Sequence, residues 1–125
     1  LDLVQFHWWD TTVPGHLDAL DALAEQRRQG KVRAIGLTNF DRARLGEILD
    51  HGIPVASLQA QASLLDRRTR GPFAELAAAR GVDLLAYGSV AGGLLSDAWL
   101  DRPAPAGTPE NRSLVKYLLV RVIAS

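Results

Sequence analysis

The sequence contains no cysteine, and this absence excludes several kinds of chemistry. Without thiols the chain cannot form disulfides, use a thiolate nucleophile or bind a metal through cysteine. The histidines, His7, His16 and His51, do not show a metal-binding spacing such as H-E-x-x-H, so we expect no metal site. The sequence also lacks G-x-S-x-G, which argues against a serine nucleophile of the hydrolase type.

The sequence also lacks net charge, because 14 Lys and Arg balance 14 Asp and Glu. A neutral chain has no long-range field to attract nucleic acid or an anionic membrane, so we expect neither partner. No apolar run reaches the roughly 18 residues of a membrane span, and no basic and apolar leader is present. We therefore expect a small-molecule partner, with the cytoplasm as the default location.

Strand-like and helix-like patterns alternate along the chain. Apolar runs predict strands over residues 3–7, 32–38, 55–60 and 83–87. Apolar residues at helical spacing predict a helix after each of the first three strands and another near the C-terminus. The apolar faces of these four helices are, in order, Leu17, Leu20, Leu23 and Ala24; Leu45, Ile48 and Leu49; Phe73, Leu76 and Ala77; and Val115, Leu118, Leu119, Val122 and Ile123. Either Asn39 or Asp41 can cap the second helix. The whole chain, residues 1–125, is interpreted as one partial domain.

The alternation of strands with helices predicts an α/β fold with a parallel sheet, because each helix returns the chain to start the next strand in the same direction. Neither a G-x-G-x-x-G motif nor a Walker loop is present, which favours a (β/α)8 barrel over a doubly wound sheet. A complete barrel needs eight such units in roughly 250 residues. Only about half of a barrel is therefore expected here, and the start inside a strand, Leu-Asp-Leu-Val, indicates a piece of a longer protein.

Polar or aromatic side chains follow every predicted strand. In a parallel β/α barrel the active site lies at the carboxyl ends of the strands, so these side chains are candidates for function. They are His7 after the first strand, Thr38 and Asn39 after the second, Gln59 and Gln61 at the third, and Tyr87, Gly88 and Ser89 after the fourth. Since the strand interiors are apolar, polarity is concentrated at one rim.

Each candidate also has a purely structural interpretation. His7 can be a satisfied rim residue, Asn39 a helix cap, and Tyr87 a rim residue with a solvated hydroxyl. Arg67 and Arg68 fit a solvated loop, with contact to a cofactor phosphate or substrate as the alternative. The convergence of the candidates on one rim favours function.

Four stretches, taken in order along the chain, resemble the aldo-keto reductases. They are DLVQFHWWD, QGKVRAIGLTNFD, PVASLQAQASLLDRR and LLAYGSVAGGLL. The most specific stretch is GKVRAIGLTNF, in which Thr38 stands where the family usually has Ser. This resemblance implies a TIM barrel that transfers hydride between NADPH, less often NADH, and an aldehyde, ketone or alcohol. It also implies that the family's catalytic tyrosine, lysine and aspartate precede the first strand, so that the chain corresponds to strands four to seven.

The resemblance implies roles for the candidate residues. His7 would hydrogen-bond the substrate carbonyl, and burial between Phe6 and Trp8 would keep its ring uncharged. The nicotinamide carboxamide would be held by Thr38, Asn39 and Gln59. In the fourth unit Tyr87 would stack on the nicotinamide ring, and Gly88 and Ser89 would begin the loop along the pyrophosphate. Asn111 and Arg112 resemble the start of a helix before the region that binds the 2′-phosphate.

Two further interpretations remain open. The chain can be a non-catalytic, nicotinamide-binding regulatory or interaction subunit on the same fold, as in the potassium channel β subunits that resemble these reductases. Such a half-barrel would associate with a second half through its exposed edges. The chain can also be part of a different β/α-barrel enzyme that shares only its fold with the aldo-keto reductases. The leading interpretation is a fragment of an NADP-dependent aldo-keto reductase that has little activity alone.

Overall fold

In the computed structural model, which describes residues 1–101 and 114–117, strands and helices alternate as the sequence predicts. The strands are β1 (Leu3–His7), β2 (Ala34–Thr38), β3 (Val55–Gln61) and β4 (Asp83–Tyr87), and the helices are α1 (His16–Arg28), α2 (Arg42–Asp50) and α3 (Pro72–Ala79). Two 3-10 helices follow β4, at Ala91–Gly93 and Asp97–Trp99. Residues 114–117 are helical, whereas most of the predicted C-terminal helix, with Leu118, Leu119, Val122 and Ile123, lies outside the described residues.

The ends of the helices follow from local chemistry. Helix α1 begins after Gly15, whose φ of 112° suits a residue without a side chain, and carries Asp18 in its first turn and basic residues in its last. The N-cap of α2 is Asp41, whose carboxylate accepts the Arg44 backbone N–H at 2.8 Å. Of the two candidate caps, Asp41 is therefore the N-cap of α2. Helix α3 opens on Pro72, where a missing N–H costs nothing.

The four strands form one parallel sheet in the order β1-β2-β3-β4. Pairing of β1 with β2 sets Gln5 beside Gly36 and His7 beside Thr38. Pairing of β2 with β3 shifts at a bulge between Ile35 and Gly36, and then sets Gly36 beside Ser57 and Thr38 beside Gln59. The register therefore aligns the carboxyl ends of three successive strands.

The helix-covered face of the sheet holds the hydrophobic core. Leu37 is fully buried between the core positions of its neighbouring strands, and Phe6 packs against the same cluster. The bulge lets Val55 and Leu58, which are three residues apart, both face this core. The buried cluster comprises Leu20, Ile35, Leu37, Phe40, Leu45, Ile48, Ile53, Val55, Leu58, Phe73, Ala77 and Val82. The opposite face carries Leu3 and Ala34 at the start of β1 and β2, and polar side chains toward the carboxyl ends of the strands.

The chain divides into two units. The first unit comprises Leu1–Ala60 and Arg70–Leu85, and it contains the whole apolar cluster. The second comprises Gln61–Thr69 and Ala86–Ser125, of which residues 102–113 and 118–125 are not described. Across the described ranges, no helix combines the length and apolar character needed to cross a bilayer.

Candidate active site

In the first unit, three predicted site residues form a row across the ends of the strands. His7 of β1 is paired with Thr38 of β2, and Thr38 is paired with Gln59 of β3. His7 is exposed, while Thr38 and Gln59 are half-buried. Because the pairing is direct, the imidazole, hydroxyl and amide belong to one transverse row on the face opposite the apolar core. The structure thus brings these three candidates together.

Asn39 lies directly after this row in an uncommon backbone conformation. Its φ is 61°, in the left-handed region that few residues other than glycine adopt. Its backbone N–H donates to the Gln59 carbonyl at 2.9 Å, which ties the end of β2 to β3. Asparagine tolerates this region better than most residues, and such conformations concentrate at functional sites. The Asn39 side chain is accordingly set at the exposed rim beside Thr38.

A second polar layer lies one step below the row, on the same face. A side chain on Gly36 would collide with the Gln5 amide oxygen, and its Cβ would lie 2.7 Å from the Ser57 hydroxyl oxygen. The glycine therefore makes room for Gln5. The Gln5 Oε1 and Ser57 Oγ atoms are both buried, and neither has a hydrogen-bond partner in the described part of the chain. Sequence reasoning missed this layer, because Gly36 looked like an ordinary strand residue.

The expectation that Phe6 and Trp8 bury His7 is wrong. Phe6 and Trp8 stack on each other at 5.9 Å, and Phe6 also stacks on Phe40 on the helix-covered side. Since successive strand side chains point to opposite faces, the ring between them points away from that stack. His7 is exposed and instead makes an edge contact with Trp9, with 5.3 Å between ring centroids and 77° between planes.

The loop after β1 is held by several hydrogen bonds. The Trp8 indole N–H donates to the Val13 carbonyl at 3.0 Å, and the Asp10 carboxylate accepts from the N–H and hydroxyl of Thr12 at 2.9 and 2.7 Å. These hydrogen bonds from Thr12 lower the pKa of Asp10 below its ordinary value, the hydroxyl contributing most. The Arg44 guanidinium donates to the Thr11 carbonyl at 3.3 Å. The loop is therefore anchored on both sides of Trp9.

Behind this loop lies a cavity of about 400 Å³ lined by residues 11–18 with Arg44 and Glu47. His16 is buried there, and its Nε2 lies 3.6 Å from the Glu47 carboxylate. A hydrogen bond from Arg44 at 2.8 Å is the main cause that lowers the pKa of Glu47. Arg44 and Glu47 pair with each other in this lining, whereas the buried His16 Nε2 has no hydrogen-bond partner among the described residues.

The second unit contains the other predicted site residues, Tyr87, Gly88 and Ser89. Tyr87 is half-buried, and its carbonyl accepts the Ala62 N–H at 3.1 Å. The Lys116 ammonium lies 5.3 Å from the centroid of the Tyr87 ring and 5.6 Å from that of Tyr117. Each distance is within the range of a cation–π contact. Lys116 was missed, because nothing in its own sequence neighbourhood connects it to a strand end 29 residues earlier.

Gly88 is required by its surroundings. Its φ is 67°, and a Cβ at this position would collide with the Tyr117 hydroxyl. Burial is the main cause that raises the pKa of Tyr117. Ser89, the next residue, is exposed. The segment that the sequence singles out thus lies in contact with a residue near the C-terminus.

A buried carboxylate also organises the second unit. Asp66 is 3% exposed and accepts hydrogen bonds from the Arg68 guanidinium at 2.9 and 2.6 Å and from the Gln61 amide at 3.0 Å. The Arg68 hydrogen bond is the main cause that lowers the pKa of Asp66. The basic pair of the sequence therefore divides: Arg68 binds Asp66, whereas the Arg67 guanidinium donates to the Leu64 carbonyl at 3.3 Å. Within the described ranges, no group of three or more His, Asp or Glu side chains could hold a metal ion.

Comparison with known families decides how these elements are classified. The model of the Aldo/keto reductase family matches residues 1–122. This chain belongs to the aldo/keto reductase family. The aldo-keto reductases that it resembles in structure are (β/α)8 barrels, and its four parallel strands with their helices make up part of such a barrel. The predicted fold class is thereby confirmed.

Relatives of this aldo/keto reductase chain are considerably longer. Protein tas of Escherichia coli (strain K12) is 37% identical over 128 residues, which cover 86% of this chain and 37% of that protein. Flagellar radial spoke protein 5 of Chlamydomonas reinhardtii is 34% identical over 121 residues, covering 84% of this chain and 23% of that protein. The holo form of an aldo-keto reductase from Bacillus halodurans aligns with a TM-score of 0.70 and 30% identity, covering 98% of this chain and 40% of that one. The chain spans well under half the length of each.

Proposed function

We propose that this chain contributes the substrate-orienting histidine and the nicotinamide pocket to an oxidoreductase that transfers hydride between NADP(H) and an aldehyde, ketone or alcohol. Membership of the aldo/keto reductase family supports an oxidoreductase. The observation that carries the finer proposal is the row in which His7, Thr38 and Gln59 pair across three strand ends. A substrate carbonyl held beside a nicotinamide ring needs a hydrogen-bond donor for its oxygen and hydrogen-bonding groups for the carboxamide of the ring. An imidazole and two hydrogen-bonding side chains in register offer both.

The polar groups of the first unit match a nicotinamide carboxamide in chemistry. A carboxamide has two N–H donors and one carbonyl acceptor, and the amides of Asn39 and Gln59 each offer the complementary donor and acceptor. The Thr38 hydroxyl can donate or accept a hydrogen bond. The left-handed backbone at Asn39, with its N–H bound to the Gln59 carbonyl at 2.9 Å, supports a preorganised site.

The second unit, taken by itself, contains the other residues proposed for cofactor binding. The half-buried Tyr87 ring is a flat apolar surface of the kind on which a nicotinamide ring stacks. Gly88, with its left-handed backbone, and the exposed Ser89 would follow the pyrophosphate. The Lys116 ammonium, which lies near the Tyr87 and Tyr117 rings, adds a positive charge to this segment, and a positive charge favours an anionic ligand.

When bound, the nicotinamide would supply or accept the hydride, and the residues of this chain would fix the geometry of the transfer. His7 would donate a hydrogen bond to the carbonyl oxygen, where negative charge develops as hydride arrives. Its exposed position keeps the ring accessible to a substrate. The amides would hold one face of the ring toward the carbonyl, which turns a bimolecular encounter into an oriented one.

Cofactor binding tests this proposal directly. We expect the 125-residue protein to bind NADPH or NADH in a fluorescence titration. Asn39→Gly removes the amide but accepts the left-handed backbone, and Gln59→Met removes the amide at nearly constant volume. Each is expected to weaken NADPH binding by roughly tenfold, the effect of losing one or two hydrogen bonds. Glu75→Gln on the exposed side of α3 is the matched control. Unchanged affinity in both site variants would remove the nicotinamide assignment.

The role of His7 requires a turnover assay. In the longest natural chain that contains these residues, we expect His7→Ala to lower kcat by about 100-fold or more while the NADPH dissociation constant changes little. Loss of cofactor affinity with normal kcat would contradict this role. We further propose that the 125 residues on their own oxidise NADPH slowly at best, since no general acid is assigned among them and such groups contribute about 100- to 10,000-fold.

One relative favours a second candidate function. Flagellar radial spoke protein 5 is a 34% identical relative whose name describes a structural assembly. A non-catalytic subunit that uses nicotinamide binding to regulate an interaction is therefore the alternative. It predicts normal NADPH affinity with no turnover in the longest natural chain, an outcome that would replace the catalytic proposal.

A further inference from the structure

The N-terminus of α1 borders the cavity behind the loop after β1. The cavity lies within the first unit, is lined by residues 11–18 with Arg44 and Glu47, and has a volume of about 400 Å³, which suits a small organic molecule. The first backbone N–H groups of an α-helix have no acceptor within the helix. The N-cap of α1 is Gly15, which has no side chain to supply one. These donors and the positive end of the helix dipole are therefore available to a ligand.

His16, the first residue of α1, gives an independent indication of a ligand. It is only 8% exposed, and its Nε2 atom has no hydrogen-bond partner in the described part of the chain. This atom faces Oε2 of Glu47, another lining residue, at 3.6 Å, which is beyond hydrogen-bond distance. A buried polar atom without a partner costs free energy. A ligand that hydrogen-bonds Nε2 would therefore gain more than it would from a solvated surface group.

The walls of the cavity carry groups of both charges. The Arg44 guanidinium donates to Glu47 Oε2 at 2.8 Å and to the Thr11 carbonyl at 3.3 Å, and these bonds do not exhaust its donors. The contacts of Glu47 with Arg44 and His16 both use Oε2, so Oε1 can accept from a ligand. Asp18 adds a second carboxylate to the lining. A purely anionic ligand would be repelled by the carboxylates, and a purely cationic one by Arg44 and the helix dipole.

We infer that this cavity is a binding site for an α-amino acid in its zwitterionic form, with a short aliphatic side chain. The carboxylate of the ligand would accept hydrogen bonds from the first turn of α1, from the Arg44 guanidinium and from His16 Nε2. The ammonium group would donate to Glu47 Oε1. Apolar surface for the side chain is supplied by Val13, Pro14 and Leu17.

This site is separate from the proposed nicotinamide pocket. The His16 ring lies 6.4 Å from the Trp8 ring and 6.3 Å from the Phe40 ring, measured between centroids. Phe40 belongs to the apolar cluster on the helix-covered face of the sheet, whereas the row of His7, Thr38 and Gln59 lies on the opposite face. Amino acid binding can therefore succeed or fail independently of the proposed function.

Three probes of similar shape test whether both charges are required. In an NMR titration of the 125-residue protein, we expect L-valine to shift the Leu17 and Asp18 backbone N–H resonances with a dissociation constant below about 10 mM. Isovalerate lacks the ammonium group and isobutylamine lacks the carboxylate, so each should bind about tenfold more weakly or worse. The inference is overturned if valine produces no shift, or if either of the singly charged probes binds as tightly as valine.

A pair of matched variants tests the contact with the ammonium group. Glu47→Gln keeps the size of the side chain and should weaken valine binding by about tenfold without weakening isovalerate binding. Glu25→Gln is the control, because the Glu25 carboxylate has nearly the same exposure, 40% against 41%, and pairs with an arginine three residues later in its helix, outside the cavity lining.

His16 is tested without a substitution, since it is buried and a variant could fail to fold. The ring nitrogen resonance of His16 Nε2 should shift when valine binds and stay unchanged with isobutylamine. An Nε2 resonance that does not respond to valine, or equal effects of Glu47→Gln and Glu25→Gln on valine binding, would overturn the inference.

Discussion

The two units of this chain place their candidate site residues by different means. In the first unit, His7, Thr38 and Gln59 are aligned by strand pairing, and the strands are fixed by a fully apolar cluster on the opposite face. In the second unit, Tyr87 and Gly88 are contacted by Lys116 and Tyr117, residues far along the chain. The first arrangement is built from repeated local patterns, whereas the second depends on individual side-chain contacts.

Because of this difference, the two units should respond differently to mutation. Removing an apolar side chain from the core of the first unit should disturb His7, Thr38 and Gln59 together, because the core sets the register of β1, β2 and β3. Changing one contact in the second unit should have a smaller and more local effect, because polar and cation–π contacts are individually weak. Four stability measurements test this contrast.

The largest effect is expected for Leu37→Ala in the first unit. Leu37 is 0% exposed and pairs with Phe6 and Leu58 across β1 and β3. Removing its side chain leaves a cavity between strands, so the free energy of unfolding should fall by about 2–5 kcal/mol in a urea titration. The control is Leu100→Ala, since Leu100 is 66% exposed and its loss should cost less than about 0.5 kcal/mol. Equal effects of the two changes would contradict the contrast between the units.

The next effect concerns Gly36, which lies on the polar face of the same sheet. A methyl group at this position would collide with the Gln5 amide oxygen and lie 2.7 Å from the Ser57 hydroxyl oxygen. We therefore expect Gly36→Ala to lower the free energy of unfolding by about 1–3 kcal/mol. The double variant with Gln5→Ala vacates the contested space and should recover most of the loss. Failure of this rescue would show that the glycine serves another purpose.

A smaller effect is expected at Asp66 in the second unit. Its carboxylate is buried and accepts from Arg68 and Gln61, so Asp66→Asn should lower the free energy of unfolding by about 1 kcal/mol at pH 7. Because the Arg68 hydrogen bond lowers the pKa of the folded carboxyl, this contribution is present above the unfolded pKa and is lost as the pH falls through the folded pKa. The two proteins should therefore converge in stability at acid pH. A difference that persists unchanged below pH 3 would exclude the charged pair as its source.

The contrast also explains how much of the structure the sequence patterns predicted. Alternating strand and helix patterns predicted β1, α1, β2, α2, β3, α3 and β4, because each pattern reports burial of the segment's own face. The row of His7, Thr38 and Gln59 followed from those strands and the rule that sites lie at carboxyl ends. Choosing between Asn39 and Asp41 as the cap needed the backbone itself, since both residue types cap helices well.

Contacts between distant segments escaped the patterns. The space beside Gly36 depends on side chains from two other strands, and no local signal encodes their meeting. The burial of His7 was predicted wrongly, because its aromatic neighbours were treated as surrounding it, whereas strand alternation sends them to the other face. In the second unit, the sequence patterns did not single out Lys116, because its contact with Tyr87 joins residues 29 positions apart in the chain.

The smallest expected effect belongs to Lys116, whose ammonium lies 5.3 Å from the Tyr87 centroid and 5.6 Å from that of Tyr117. Lys116→Met keeps most of the aliphatic stem and removes the charge, so it isolates the cation–π contact. Because Lys116 is exposed, we expect a loss of only about 0.5 kcal/mol. An effect of this size is best measured as a coupling energy in a double-mutant cycle with Tyr87→Leu. A coupling above about 2 kcal/mol would mean that single contacts in the second unit are as strong as core packing in the first, and the contrast between the units would then be wrong.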